Sequence, residues 1–298
     1  MLTRRIVCLA PLAQVVTRAA AASGKMQLCM HMTTTVGAGF RGSLEGWARA
    51  GIKYCEFTSS AVDAFLKTED VAAARRLIAD LGLTPVSCGS VLGLWEQNPK
   101  RAAALDALKQ RCELYSSLGL KQIVCPCNTT QKFTEDDYKL GLDNMREVGE
   151  IVKQYPMTAM VEFSRGSTFI GTLSTSLKMT REAAHPNVRP MLDCYHFWAG
   201  QSKFEDLDLI RSGEIVHVHF QDVPADLPRE LLGQTTRVIP GDGITPLARI
   251  LRKLSEKGYA GPLSVELFRP EFQNADPYEM ASQIREKAEP IMREAGVL

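Results

Sequence analysis

Ile215-Val-His-Val-His-Phe-Gln-Asp222 places two histidines two residues apart inside a short apolar run. Residues i and i+2 of a β-strand face the same side, so His217 and His219 share a face, one layer apart. Imidazoles are costly to bury in an apolar core. On a strand that lines a barrel, the outer one lies where metals and substrates bind, and the inner one lies beneath it as support. The pair reads as a site only if neighbouring segments supply a barrel and partner ligands.

They do. From Lys25 onward, strand-like runs recur at Met26 to Thr33, Lys53 to Phe57, Thr84 to Cys88, Gln122 to Cys127, Thr158 to Phe163, Arg189 to Tyr195, Ile215 to Phe220 and Pro262 to Phe268. Helical patterns separate them. Val71, Ala74, Leu77 and Ile78 share one helix face, and Ile244, Leu247, Ile250, Leu251 and Leu254 repeat at three and four. Thr134 ahead of Asp137 is a capping signature. Eight strand-then-helix units in about 270 residues match a (β/α)8 TIM barrel. An open doubly wound sheet would bring a G-x-G-x-x-G turn after the first strand, and Thr33 to Gly42 has none. The expected fold is therefore a single α/β domain, a (β/α)8 barrel over residues 25–298 after an N-terminal extension, residues 1–24.

Composition narrows the partners. The chain has 298 residues, 45% of them hydrophobic, and a net charge of +1 with both signs interspersed. No basic stripe tracks a phosphate backbone, which argues against nucleic acid. No run of about 18 apolar residues exists, so no membrane span is expected. The eight cysteines are scattered through apolar runs, as buried free thiols are, which favours a reducing, cytoplasmic setting. Arg4-Arg5 and the apolar run after it resemble a weak twin-arginine export signal. Gln14 and Arg18 interrupt that pattern, so a plain extension is the preferred reading.

In such a barrel, active-site residues come from the C-terminal strand ends. Strand five ends with Glu162, strand six with Asp193, strand seven with His219 and strand eight with Glu266. Three carboxylates buried together repel one another unless a cation sits among them. With one imidazole they form a hard ligand set, suited to Mn²⁺ first, with Mg²⁺, Co²⁺ or Zn²⁺ as alternatives. Around the mouth, Trp95 after strand three is a candidate apolar wall against a bound substrate. Glu56 at the end of strand two is a candidate for holding a substrate hydroxyl or pairing with a buried arginine.

The strand-end tetrad Glu162, Asp193, His219 and Glu266 resembles the metal site of the xylose-isomerase-like sugar isomerase/epimerase superfamily. Asp193-Cys-Tyr-His196, His217-Val-His219 with Asp222-Val-Pro224, Arg237-Val-Ile-Pro-Gly-Asp-Gly243 and Ser264-Val-Glu-Leu-Phe268 carry the likeness. It runs from about Lys25 to the C-terminus. Ketose 3-epimerases, hydroxypyruvate isomerase, inosose isomerase and dehydratase, and 3-dehydroshikimate dehydratase share this pattern. The resemblance implies that the four strand-end residues bind the metal, that His196 contacts substrate hydroxyls, and that Arg237 reaches the substrate from the long loop. It also implies a dimer or tetramer.

The expected activity is that of a metal-dependent isomerase or epimerase of a small keto-sugar or cyclic polyol ketone. Glu162 and Glu266 would serve as acid and base, through a metal-stabilised enediolate. A lyase that dehydrates an inosose, dehydroshikimate or 3-keto-glycoside is the second reading. A non-catalytic sugar-binding barrel is the third.

Overall fold

The computed structural model describes residues 25–298, so the extension expected over residues 1–24 lies outside the described residues. The strands are β1 (Gln27–His31), β2 (Tyr54–Thr58), β3 (Thr84–Gly89), β4 (Gln122–Cys127), β5 (Thr158–Phe163), β6 (Val188–Pro190), β7 (Leu192–Asp193), β8 (Val218–His219) and β9 (Pro262–Val265). All pair in parallel, in the order β6-β5-β4-β3-β2-β1-β9-β8-β7. Most strand positions are buried, β4 largely and β5 almost throughout, as a parallel sheet wrapped by helices requires.

The run Arg189 to Tyr195, expected as one strand, is divided into β6 and β7. Pro190 has no N–H to donate, so the ladder is interrupted there. The N–H of Met191 still reaches back to the carbonyl of Val161, and that of Leu192 reaches forward to the carbonyl of His217. β6 therefore pairs with β5 and β7 with β8. The two halves act as one strand that closes an eight-stranded barrel. Tyr195 leaves the strand because Asp193 caps a short helix, its Oδ1 accepting the His196 N–H at 2.6 Å.

Helices fill the crossovers: α1 (Gly39–Arg49), α2 (Ser59–Phe65), α3 (Val71–Asp80), α4 (Arg101–Ser117), α5 (Glu135–Lys153), α6 (Leu173–Ala183), α7 (Cys194–Ala199), α8 (Leu247–Glu256), α9 (Pro270–Gln273) and α10 (Pro277–Ala295). The capping box of Thr134 and Asp137 opens α5. In α8, Leu247, Ile250, Leu251 and Leu254 are buried. Ile244, grouped with them by periodicity, is 53% exposed and lies before the helix. Pro246 is the N-cap of α8, so the helix begins only at Leu247.

The seven described cysteines are free and buried. Among the described residues, no helix is long and apolar enough to cross a membrane.

Candidate active site

The C-terminal strand ends open into a cavity of about 390 Å³, a size that accepts a single sugar ring. Glu162 ends β5 next to Phe163, Asp193 ends β7, His219 ends β8, and Glu266 follows β9 directly. One ligand atom from each lies within 4.8 Å of the other three. His219 Nδ1 is the centre: Glu162 Oε1 is 3.0 Å away, and Asp193 Oδ2 and Glu266 Oε2 are each at 3.5 Å. Three buried carboxylates facing one imidazole form a potential site for a divalent cation, which the charge excess favours.

Arg237 lines the cavity, where the long loop was expected to bring it, and is fully buried against the ligand set. Its Nη1 donates to Asp193 Oδ2 (2.9 Å) and Glu266 Oε2 (2.7 Å), and its Nε to Gln234 (2.8 Å). The guanidinium lies 5.0 Å from the ring centroids of both Tyr195 and Phe268. The long loop carries it inward because Asp222 and Val238 form an antiparallel bridge. Arg165 spends its guanidinium on the carbonyls of Ala199, Leu232 and Arg229.

Glu56 is placed differently from expectation. It is fully buried and lies outside the cavity lining, with Oε2 2.8 Å from His217 Nε2 and 3.3 Å from His219 Nε2. Its ionic partners are these two histidines, not an arginine. Its carboxylate hydrogen-bonds His217 and lies as a charge beneath His219 Nε2, while His219 Nδ1 faces the other three ligands. His217 sits one layer down, its ring 5.3 Å from that of His219.

Trp95 is no wall of the cavity. It is fully buried, and its indole N–H donates to the carbonyl of Cys125 at 2.9 Å. A buried indole needs such a partner, and the chain after β3 turns it inward to find one. Leu92 and Phe268 supply the apolar lining.

His196 does line the cavity. Its Nδ1 accepts the Arg165 backbone N–H at 3.3 Å, and its Nε2 is 3.2 Å from Arg237 Nη2. His31, at the end of β1, lines the cavity too and was not singled out from sequence, nor was the hydroxyl run Thr58-Ser59-Ser60. The signal for His31 was the same as for the tetrad, an ionisable residue ending a strand.

The protein's own charges separate these groups. Burial pushes Glu162 up to about 7. Burial would raise Glu266 as well, but His219 and Arg237 hold it below the usual carboxylate range. Asp193 is likewise lowered, because Arg237 and His196 outweigh its burial. His219 is raised despite burial by Glu266, Glu56 and Glu162. Burial lowers His31, and lowers His196 to about 4.

A family model for the xylose isomerase-like TIM barrel matches residues 44–293. Inosose isomerase of Halalkalibacterium halodurans is 28% identical over 255 residues, covering 83% of this chain and 89% of the relative. Inosose isomerase of Bacillus subtilis is 26% identical, covering 83% and 91%. 3-Dehydroshikimate dehydratase of Pseudomonas putida is 26% identical over 60% of this chain and 28% of its own length. The crystal structure of the IOLI protein with a bound zinc atom superposes with a TM-score of 0.84 at 24% identity, covering 91% of this chain and 99% of that one. D-psicose 3-epimerase superposes with a TM-score of 0.70 at 18% identity, covering 91% and 100%. The chain belongs to the xylose isomerase-like TIM-barrel family of isomerase and epimerase enzymes.

Proposed function

We propose that the protein is a divalent-metal-dependent isomerase or epimerase of a small keto-sugar or cyclic polyol ketone. An inosose is the leading substrate, in the reducing cytoplasm. The observation that carries this reading is the meeting of Glu162, Asp193, His219 and Glu266 at the cavity floor, one ligand atom from each within 4.8 Å of the others.

Glu162, Asp193, His219 and Glu266 would hold the cation, with Mn²⁺ preferred for three carboxylate oxygens and one imidazole. When bound, it supplies the Lewis acidity that polarises a substrate carbonyl. Glu266, ionised, takes the proton from the carbon beside that carbonyl, and Glu162, ligating through one carboxylate oxygen, returns one from the other. Delivery to the opposite face of the same carbon gives an epimer, and delivery to the neighbouring carbon gives an isomer. His196 forms part of the cavity wall beside the substrate.

The lyase reading uses the same residues, and dehydratases stand among the relatives. A carboxylate-bearing substrate such as dehydroshikimate finds a poorer fit, because Arg237 is already spent on Asp193 and Glu266. Incubating keto-sugars and inososes with enzyme and Mn²⁺ in deuterated water tests the proposal by NMR. Deuterium at the carbon beside the carbonyl supports it. Growth of ultraviolet absorbance from a conjugated enone, without that exchange, supports the lyase instead.

Metal affinity should rise with pH. Glu162 must lose its proton to ligate, and so must His219 Nδ1, so both changes have the same sign. Apparent affinity is expected to climb as pH passes through about 7, where Glu162 titrates. Calorimetric titration with Mn²⁺ at several pH values checks this, and a flat profile contradicts it. Glu56→Gln should weaken Mn²⁺ binding by about 10- to 100-fold, since it removes the charge that orients His219. An unchanged dissociation constant would reduce Glu56 to a core acceptor.

A further inference from the structure

His31 is left without a task by the tetrad. The residue is 4% exposed, and its ring is edge-on to His219, with centroids 5.5 Å apart. Its position near Glu56 and His219 makes it geometrically eligible as a metal ligand. The hydrogen bonding argues otherwise. Nδ1 accepts the backbone N–H of Thr33 at 3.1 Å, so that nitrogen carries the lone pair and Nε2 carries the proton. Ligation through Nε2 would demand the opposite tautomer and cost that anchor.

The Nε2–H therefore points a donor toward the cavity. Its nearest ionic neighbour is Glu266 Oε1, at 3.5 Å, too long for a good hydrogen bond. This is not the oxygen that Arg237 holds, since Arg237 and His219 face Oε2. A neutral N–H and a carboxylate oxygen thus stand side by side, the first uncommitted. A substrate with a C–H beside a C–O bond presents a proton and an oxygen at just such a spacing. A neutral imidazole beside a carboxylate base is a known way to polarise an oxygen while the neighbouring carbon loses its proton.

We propose that His31 is a catalytic hydrogen-bond donor, its Nε2–H binding the substrate oxygen that lies beside Glu266 and stabilising the charge that develops there. The role rests on the isomerase or epimerase reading of the same site. His31 takes no proton in this role. The proton leaves carbon for Glu266, and the electron pair left behind is delocalised onto oxygen that His31 helps to hold.

The test compares wild type, His31→Phe and His31→Gln in the deuterium-exchange assay, with bound metal measured in each. His31→Phe should lower kcat by about 100-fold, the scale of one lost oxyanion donor. KM should stay within about threefold and bound metal should be unchanged, because this donor acts on developing charge. His31→Gln, which restores an N–H, should recover about tenfold of the loss. Undiminished kcat in His31→Phe overturns the proposal. So does a loss that follows bound metal, or a glutamine variant no better than phenylalanine. If the phenylalanine variant fails to fold, full activity in His31→Ala overturns it, and a comparable loss there at unchanged bound metal upholds it. A wild type that exchanges no deuterium into any keto-sugar or inosose overturns the functional reading itself, and this role with it.

Discussion

Glu266→Gln is expected to lower turnover by roughly 10³-fold while leaving the barrel folded. The amide keeps the side chain's shape and one oxygen for Arg237 but cannot accept a proton from carbon. Glu266 is suited to that task because His219 and Arg237 hold it ionised in spite of its burial. Its Oε2 is engaged by Arg237 at 2.7 Å, while Oε1 faces His31 at 3.5 Å. Exchange of substrate hydrogen for solvent deuterium measures the loss, and circular dichroism measures the fold. A variant that keeps most of its exchange rate removes Glu266 from the chemistry.

Asp222→Ala should cost about 4 kcal/mol of folding stability, at the upper end for a single substitution. The side chain is 1% exposed and accepts four backbone N–H groups. Oδ1 takes those of Val223 and Thr245, each at 2.8 Å, and Oδ2 those of Gly241 and Gly243 at 3.1 and 3.2 Å. Alanine leaves these donors without an acceptor in a place where water enters poorly. Gly243 shows how tightly the chain is drawn in, because a Cβ there would sit 2.2 Å from the Val223 carbonyl oxygen. The same anchoring positions Arg237, so kcat should fall as well. Denaturant unfolding checks the stability term, and a midpoint close to wild type would show that the loop is held elsewhere.

The tetrad was legible in sequence because it follows one rule of the fold. Glu162, Asp193, His219 and Glu266 all lie at or within one residue of a strand's end, and strand ends can be read from apolar runs. Strand count and order were legible for the same reason, and Gln122–Cys127 and Thr158–Phe163 fall where the runs placed them. Residues beyond strand ends were harder. Whether Trp95 faces the mouth or the core depends on which acceptor lies nearby, and Cys125 is 30 residues away in the chain. Arg237 was recognised, but its engagement with Asp193 depends on the Asp222–Val238 bridge, which no local pattern announces. Glu56 was seen as a strand-end acid, yet its partners lie 161 residues on. His31 could have been found by applying the strand-end rule to the first strand.

The division of the sixth strand at Pro190 bears on more than barrel closure. β7 and β8 are two residues each, so the seam there has few ladder bonds of its own. Asp193, His219 and Glu266 stand along that seam, and Glu162 stands on β5, the stave on its other side. A cation gripped by all four would act as a hoop around the staves that the backbone joins least firmly. Loading the site and tightening the barrel then become a single event, with catalytic competence and mechanical integrity gained together.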